Sequence, residues 1–172
     1  MINYDLTKIK ALVFDVDGVL SSGTISVSAD GELLRTASVK DGYALHLAMK
    51  LGYRVAIITG AFEESILRRY KDIGIEDIYM GSSLKTIDLQ KLLDKYNLSA
   101  DEVLYMGDDI PDYEVMRRVG VPCCPRDAAP EIRDICSYIS HRDGGCGCVR
   151  DVIEQVLKAQ NKWMADERAF MW

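Results

Sequence analysis

The chain has 172 residues, enough for one domain with a sizeable core. With 48% apolar and 28% charged residues, a net charge of −6 and no long basic run, its composition is that of an ordinary folded domain and argues against nucleic acid as the main partner. No apolar stretch approaches the length of a membrane span, and residues 1–10 are polar rather than signal-like, so a cytoplasmic protein with no membrane partner is expected.

Residues 11–16 (ALVFDV) read as a buried strand running into Asp15-Val16-Asp17-Gly18. Residues 23–39 hold Asp30-Gly31 between two β-prone runs, the mark of a hairpin. Placed between the first strand and the first helix, it projects beyond the carboxyl edge of the sheet, as a flap over a site or as a plain edge hairpin. Residues 42–51 form a helix with Leu45 and Met49 on one face. Residues 55–59 (VAIIT) are the next strand, with a helix at 63–73 and a short strand at 78–80. A helix at 84–96 carries Leu84, Ile87, Leu92 and Leu93, followed by a strand at 103–107 and a helix at 111–119. Strands at 120–123 and 138–140 complete the sheet before a last helix at 147–160. This alternation predicts an α/β fold: one Rossmann-like domain over 1–172, a parallel sheet with helices on both faces, and no cap domain. The tail, 161–172, ends in Phe170-Met171-Trp172, which suggests disorder or docking on a partner subunit.

Four polar clusters follow strand ends. Asp15 and Asp17 are expected on one side of the first strand, where their repulsion calls for a cation. Mg²⁺ suits such a site, because it prefers oxygen ligands and keeps waters that a phosphate can replace. One carboxylate can then attack phosphorus while the other moves a proton. Gly107-Asp108-Asp109-Ile110-Pro111-Asp112 brings further acids to the same edge, one as a metal ligand; Asp109 or Asp112 could equally cap the following helix. Thr59-Gly60, at the start of a helix, offers a hydroxyl and backbone N–H groups to a phosphate, or is an ordinary cap. Lys85 stands at a helix start, where a cation opposes the helix dipole unless an anion compensates it; a plain surface lysine is the alternative.

In order, Asp15-x-Asp17, Thr59, Lys85 and Gly107-Asp108-Asp109-x-x-Asp112 resemble the four motifs of the haloacid dehalogenase superfamily of phosphotransferases. The hairpin, Lys40-Asp41-Gly42-Tyr43, and Gly144-Gly145-Cys146-Gly147 with Arg150 resemble a capless subfamily acting on 3-deoxy-D-manno-octulosonate 8-phosphate, over almost the whole chain. The resemblance implies a Mg²⁺-dependent phosphatase of lipopolysaccharide synthesis, a homotetramer whose active sites are shared between subunits. It implies Asp15 as nucleophile and metal ligand, Asp17 as general acid/base and carbonyl ligand, and Asp108 as the third ligand, with Asp109 and Asp112 in support. Thr59, Gly60 and Lys85 would hold the phosphoryl group. Ser38, Val39, Lys40, Asp41, Gly42, His46 and Arg69 would face the sugar acid, Arg69 from across a subunit boundary.

Ala61, Ser38 and His46 depart from the residues usual in that subfamily, which leaves a nine-carbon 2-keto-3-deoxynononate 9-phosphate as the competing substrate. Arg69 and His46 could also be ordinary helix-surface residues. A phospho-accepting receiver-like signalling module uses Asp, Thr and Lys around Mg²⁺ as well, but there the phosphorylated Asp follows the third strand, whereas here the Asp pair ends the first. The five cysteines, 123, 124, 136, 146 and 148, suit reduced thiols; Cys146 and Cys148 could share a metal with Cys123-Cys124, although C-x-x-C spacing is missing.

Overall fold

A computed structural model describes residues 2–171. Six strands form one parallel sheet in the order β5-β4-β1-β6-β7-β8. They are β1 (Ala11–Phe14), β4 (Arg54–Ile58), β5 (Asp77–Tyr79), β6 (Val103–Met106), β7 (Val121–Cys124) and β8 (Tyr138–Ile139). The two central strands, β1 and β6, are buried along their whole length, which is why they read as unbroken apolar runs.

Strand alternation sends successive side chains to two cores. Leu12, Phe14, Val55, Ile57, Leu104 and Met106 face one core, shared with helices α1 (Val39–Lys50) and α6 (Cys148–Ala159). Ala11, Val13, Ala56, Ile58, Val103 and Tyr105 face the other, with α3 (Lys85–Tyr96), α4 (Tyr113–Met116) and α5 (Pro130–Ile135). Helix α2 (Glu64–Asp72) adds Ile66 and Tyr70 to the first core.

The predicted strands and most helices are present, with differences at the ends. Helix α1 starts three residues earlier than expected, because Ser38 Oγ accepts from Asp41 N–H at 3.2 Å and caps it. The helix expected over 111–119 is only the single turn α4, after a 3₁₀ turn at Ile110–Asp112. Helix α5 has no counterpart among the predicted elements. The hairpin is real but small: β2 (Ser26–Val27) pairs antiparallel with β3 (Leu33–Leu34), and all four residues are exposed. Its turn places Gly31 at φ +82, a conformation that favours glycine.

The tail folds back on its own chain. A 3₁₀ turn at Glu167–Phe170 brings the Ala169 carbonyl to the Tyr43 hydroxyl, and Lys50 Nζ donates to the Met171 carbonyl at 2.8 Å. Phe170 and Met171 are exposed; Trp172 lies outside the described residues.

From β1 the chain winds outward through β4 and β5, then returns to β6 on the other side of β1. The crevice beyond the carboxyl ends of β1 and β6 is therefore a topological switch point, where ligands bind in open α/β sheets.

Candidate active site

Asp15 follows β1, and its N–H donates to the Met106 carbonyl at 3.0 Å, which extends the β1–β6 pairing by one rung. Asp108 leaves the end of β6 two residues beyond Met106. Asp15, Asp108 and Asp112 each bring a carboxylate oxygen within 4.8 Å of the others. Asp112, expected only in support, is the most deeply buried of the three. Both its oxygens are occupied. Oδ1 accepts from Lys85 Nζ at 2.7 Å and from the Tyr105 hydroxyl at 2.8 Å, and Oδ2 accepts from Asp108 N–H at 3.3 Å. It orients its neighbours, and with Asp15 and Asp108 it completes the group that could hold a metal ion.

Lys85 begins α3 and is buried, with its ammonium 3.0 Å from Asp15 Oδ1. The anion that a lysine at this helix start requires is thus the Asp15–Asp112 pair. Burial alone would lower the lysine's pKa, but the two carboxylates outweigh it and raise it. Asp15 is pushed up to about 7, first by burial and then by Asp112, against the pull of Lys85. Asp108 is pushed up to about 8 by burial, Asp15, Asp112 and Asp109. One lysine does not balance three carboxylates. The set is all oxygen, buried and over-negative, and it fits a small divalent cation.

Asp17 departs from the expected arrangement. The strand stops at Phe14, so strand alternation does not govern Asp15 and Asp17, and the carboxylate of Asp17 has its own cation. Arg35, between β3 and α1, donates from Nε to Oδ1 at 2.6 Å and from Nη2 to Oδ2 at 3.0 Å; Ser21 Oγ donates to Oδ1 at 3.1 Å. Sequence reasoning missed Arg35, because nothing in an eighteen-residue separation signals this pairing.

Thr59 is buried at the end of β4, and its Oγ1 accepts from Ala61 N–H at 3.2 Å, leaving the hydroxyl proton for a ligand. Gly60 is exposed beside it. Helix α2 starts at Glu64, so Thr59-Gly60 forms a loop rather than the helix start that was expected.

The residues expected to face the substrate divide into groups. Val39 and Lys40 are exposed, and Lys40 lines a cavity of about 370 Å³ with Arg142 and Arg150. Gly42 and Arg69 meet, since a Cβ on Gly42 would lie 3.0 Å from Arg69 Nη2. Asp41 turns inward: its Oδ1 accepts from Arg150 N–H at 2.7 Å at the start of α6, and burial raises its pKa. Ser38 is the cap of α1, and His46 Nδ1 is 3.0 Å from the Ile73 carbonyl. Asp109 is exposed, and its side chain does not cap the turn that follows. Two glycines that had no assigned place also shape the mouth. Gly145 N–H donates to the Val19 carbonyl at 2.8 Å, and a Cβ on Gly144 would lie 2.0 Å from the Gly18 carbonyl oxygen.

A family model described as haloacid dehalogenase-like hydrolase matches residues 25–120. The chain belongs to the haloacid dehalogenase-like hydrolases. This hydrolase is 40% identical, over 154 residues, to the 3-deoxy-D-manno-octulosonate 8-phosphate phosphatase KdsC of Salmonella typhi, an overlap of 90% of this chain and 82% of that protein. It is 39% identical to the protein of that name from Escherichia coli K12, with the same coverage. Among solved structures, a Moraxella catarrhalis 3-deoxy-D-manno-octulosonate 8-phosphate phosphatase, in complex with a magnesium ion, a phosphate ion and a KDO molecule, superposes with a TM-score of 0.91. That match has 34% identity and covers 97% of the hydrolase and 96% of that chain. The Yersinia pestis phosphatase of the same name superposes with a TM-score of 0.89 at 35% identity, covering 92% and 85%. Among the described residues, no helix is long and apolar enough to cross a membrane.

Proposed function

We propose that this hydrolase releases inorganic phosphate from 3-deoxy-D-manno-octulosonate 8-phosphate, with Mg²⁺, through a phosphoryl group carried on Asp15. The observation that carries the reading is the convergence of Asp15, Asp108 and the Lys85 ammonium at the mouth between β1 and β6. The similarity to phosphatases of that name, over most of both chains, supports the substrate. The all-oxygen cluster supports the metal. Asp15 and Asp108 carboxylates and the Asp17 backbone carbonyl would hold Mg²⁺, which when bound neutralises phosphoryl charge and aligns its oxygens.

The chain's own groups account for the rest. A carboxylate oxygen of Asp15 attacks phosphorus while the bond from phosphorus to the sugar oxygen breaks, and that oxygen takes a proton from Asp17. Water then attacks the same phosphorus and gives its proton to Asp17; the acyl-phosphate bond breaks, which frees phosphate and restores the Asp15 carboxylate. Lys85 and the Thr59 hydroxyl bind equatorial oxygens, and Lys85 orients Asp15 and favours its ionised form against burial and Asp112. Arg69, beside Gly42, and Lys40 supply positive charge for the carboxylate of the sugar acid. In this reading the enzyme is a cytoplasmic homotetramer of lipopolysaccharide synthesis. The exposed apolar side chains of Val27 and Leu34 on the hairpin, and of Phe62 in the loop after Thr59-Gly60, support coverage by a neighbouring subunit.

Phosphate release from 3-deoxy-D-manno-octulosonate 8-phosphate, followed with Mg²⁺, after EDTA and after Mg²⁺ is restored, tests the reading. Release that is lost and recovered is expected; none with Mg²⁺ overturns it.

A further inference from the structure

Asp17 must hold and surrender a proton at a defined oxygen, yet the turn that carries it is short and its strand ended at Phe14. Three donors fix it from outside that turn's backbone. Arg35 Nε and Ser21 Oγ both bond to Oδ1, whereas only Arg35 Nη2 bonds to Oδ2. The guanidinium is a rigid fork, so two parallel bonds set the plane of the carboxylate as well as its position. Only 10% of the Arg35 side chain is exposed. Its remaining nitrogen, Nη1, lies 3.3 Å from Glu63 Oε2, close enough for ionic attraction but out of line for a hydrogen bond. Glu63 stands just before α2, at the end of the loop that follows Thr59-Gly60, and its Oε2 accepts from Phe62 N–H in that loop at 3.1 Å. One side chain from the hairpin thus ties the Asp17 turn to the Thr59 loop. Beyond this turn, Ser22 N–H donates to Thr36 Oγ1 at 3.2 Å and Thr36 Oγ1 lies 3.5 Å from Ser22 Oγ.

We infer that Arg35 is a positioning residue for Asp17: by taking both oxygens of the carboxylate in a fork, it fixes the plane and place of that side chain and makes the seating of the hairpin a condition for catalysis. This rests on the reading of Asp17 as the general acid/base given above.

The test is steady-state and rapid-quench kinetics with Mg²⁺ on Arg35→Ala, Arg35→Gln and Arg35→Lys, using two substrates. One is the sugar-acid phosphate, whose leaving alkoxide needs a proton. The other is p-nitrophenyl phosphate, whose leaving phenolate departs without one. Misplacing Asp17 costs on the order of 100-fold in kcat on the sugar-acid phosphate, the scale of general acid catalysis, with KM changed by less than about threefold. With p-nitrophenyl phosphate the first step is spared and the water step is not, so Arg35→Ala and Arg35→Gln show a burst of about one phenolate per site before a slow steady state. Arg35→Lys, keeping charge but not the fork, falls between these and wild type. Arg35→Gln retains most of the stem, and its melting temperature separates misfolding from misplacement. Equal losses on both substrates without a burst, a rise in KM alone, or no loss in folded Arg35→Gln would overturn the inference. Wild-type activity that survives Asp15→Asn would instead sink the underlying reading and this inference with it.

Discussion

Asp108 occupies the space that a side chain on residue 18 would need: a Cβ built on Gly18 lies 1.8 Å from Asp108 Oδ2. Gly18 also has φ +81, where an L side chain is strained. The close approach of these residues keeps the Asp108 carboxylate against the turn after Asp15. Gly18→Ala is therefore expected to displace Asp108 and weaken Mg²⁺ activation by at least ~10-fold, the usual cost of a disturbed metal shell. A Mg²⁺ titration of activity checks this; an unchanged half-saturation point would show that Asp108 does not depend on that space.

Asp112 organises the floor of the site through Lys85, Tyr105 and the Asp108 N–H. Asp112→Asn leaves the buried ammonium with Asp15 alone. The ammonium keeps Asp15, so the loss is that of charged hydrogen bonding, about 1.5–3 kcal/mol, and Asp112→Asn should melt below wild type and lose kcat. Tyr105→Phe removes a single hydroxyl contact and should cost only about 1 kcal/mol. Urea unfolding of both variants checks the order; equal stabilities would contradict the placement of Asp112.

The pKa values of Asp15 and Asp108 are raised, to about 7 and about 8, above their ordinary value near 3.8. Between those limits the folded chain binds more protons than the unfolded one, so its stability falls as pH rises. In EDTA the melting temperature should therefore drop from pH 5 to pH 9, by ~2–4 °C for each kcal/mol lost at this chain length. Mg²⁺ should restore more stability at pH 9 than at pH 5, because it binds the ionised carboxylates. Calorimetry at both pH values checks the sign; a metal-free protein more stable at pH 9 would contradict it.

Arg69 reaches over Gly42, with its Nη2 only 3.0 Å from the place of an added Cβ. Arg69→Ala should raise KM for the sugar-acid phosphate by about 10- to 100-fold, the scale of a lost charged hydrogen bond, and leave p-nitrophenyl phosphate turnover within about threefold. The same assay with eight- and nine-carbon substrates reports the sugar preference. A KM unchanged by Arg69→Ala would place the substrate carboxylate elsewhere.

What could be read before folding follows from physical range. The strands were legible because a parallel sheet covered on both faces turns them into continuous apolar runs, and the acids ending those runs marked Asp15 and Asp108. Lys85 was legible as a cation at the unfavourable end of a helix. Helix α5 was not, since a six-residue helix buries only Ile132 and leaves no periodicity to count. Asp112 showed as an acid, but its burial arises from the packing of α3, β6 and α4. Asp41 sits in a substrate-like segment, yet folding spends one of its oxygens on the start of α6. Arg35 reaches Asp17 through the hairpin, a tertiary contact that no local pattern encodes.

Phosphate release by Asp15→Asn is the most direct measurement of the whole account. With Mg²⁺ and 3-deoxy-D-manno-octulosonate 8-phosphate, the substitution keeps the shape of the side chain but removes the attacking carboxylate. A fall in kcat of at least ~1,000-fold in a protein that still folds is predicted. A rate near that of wild type would contradict the assignment of Asp15 as the group that takes the phosphoryl.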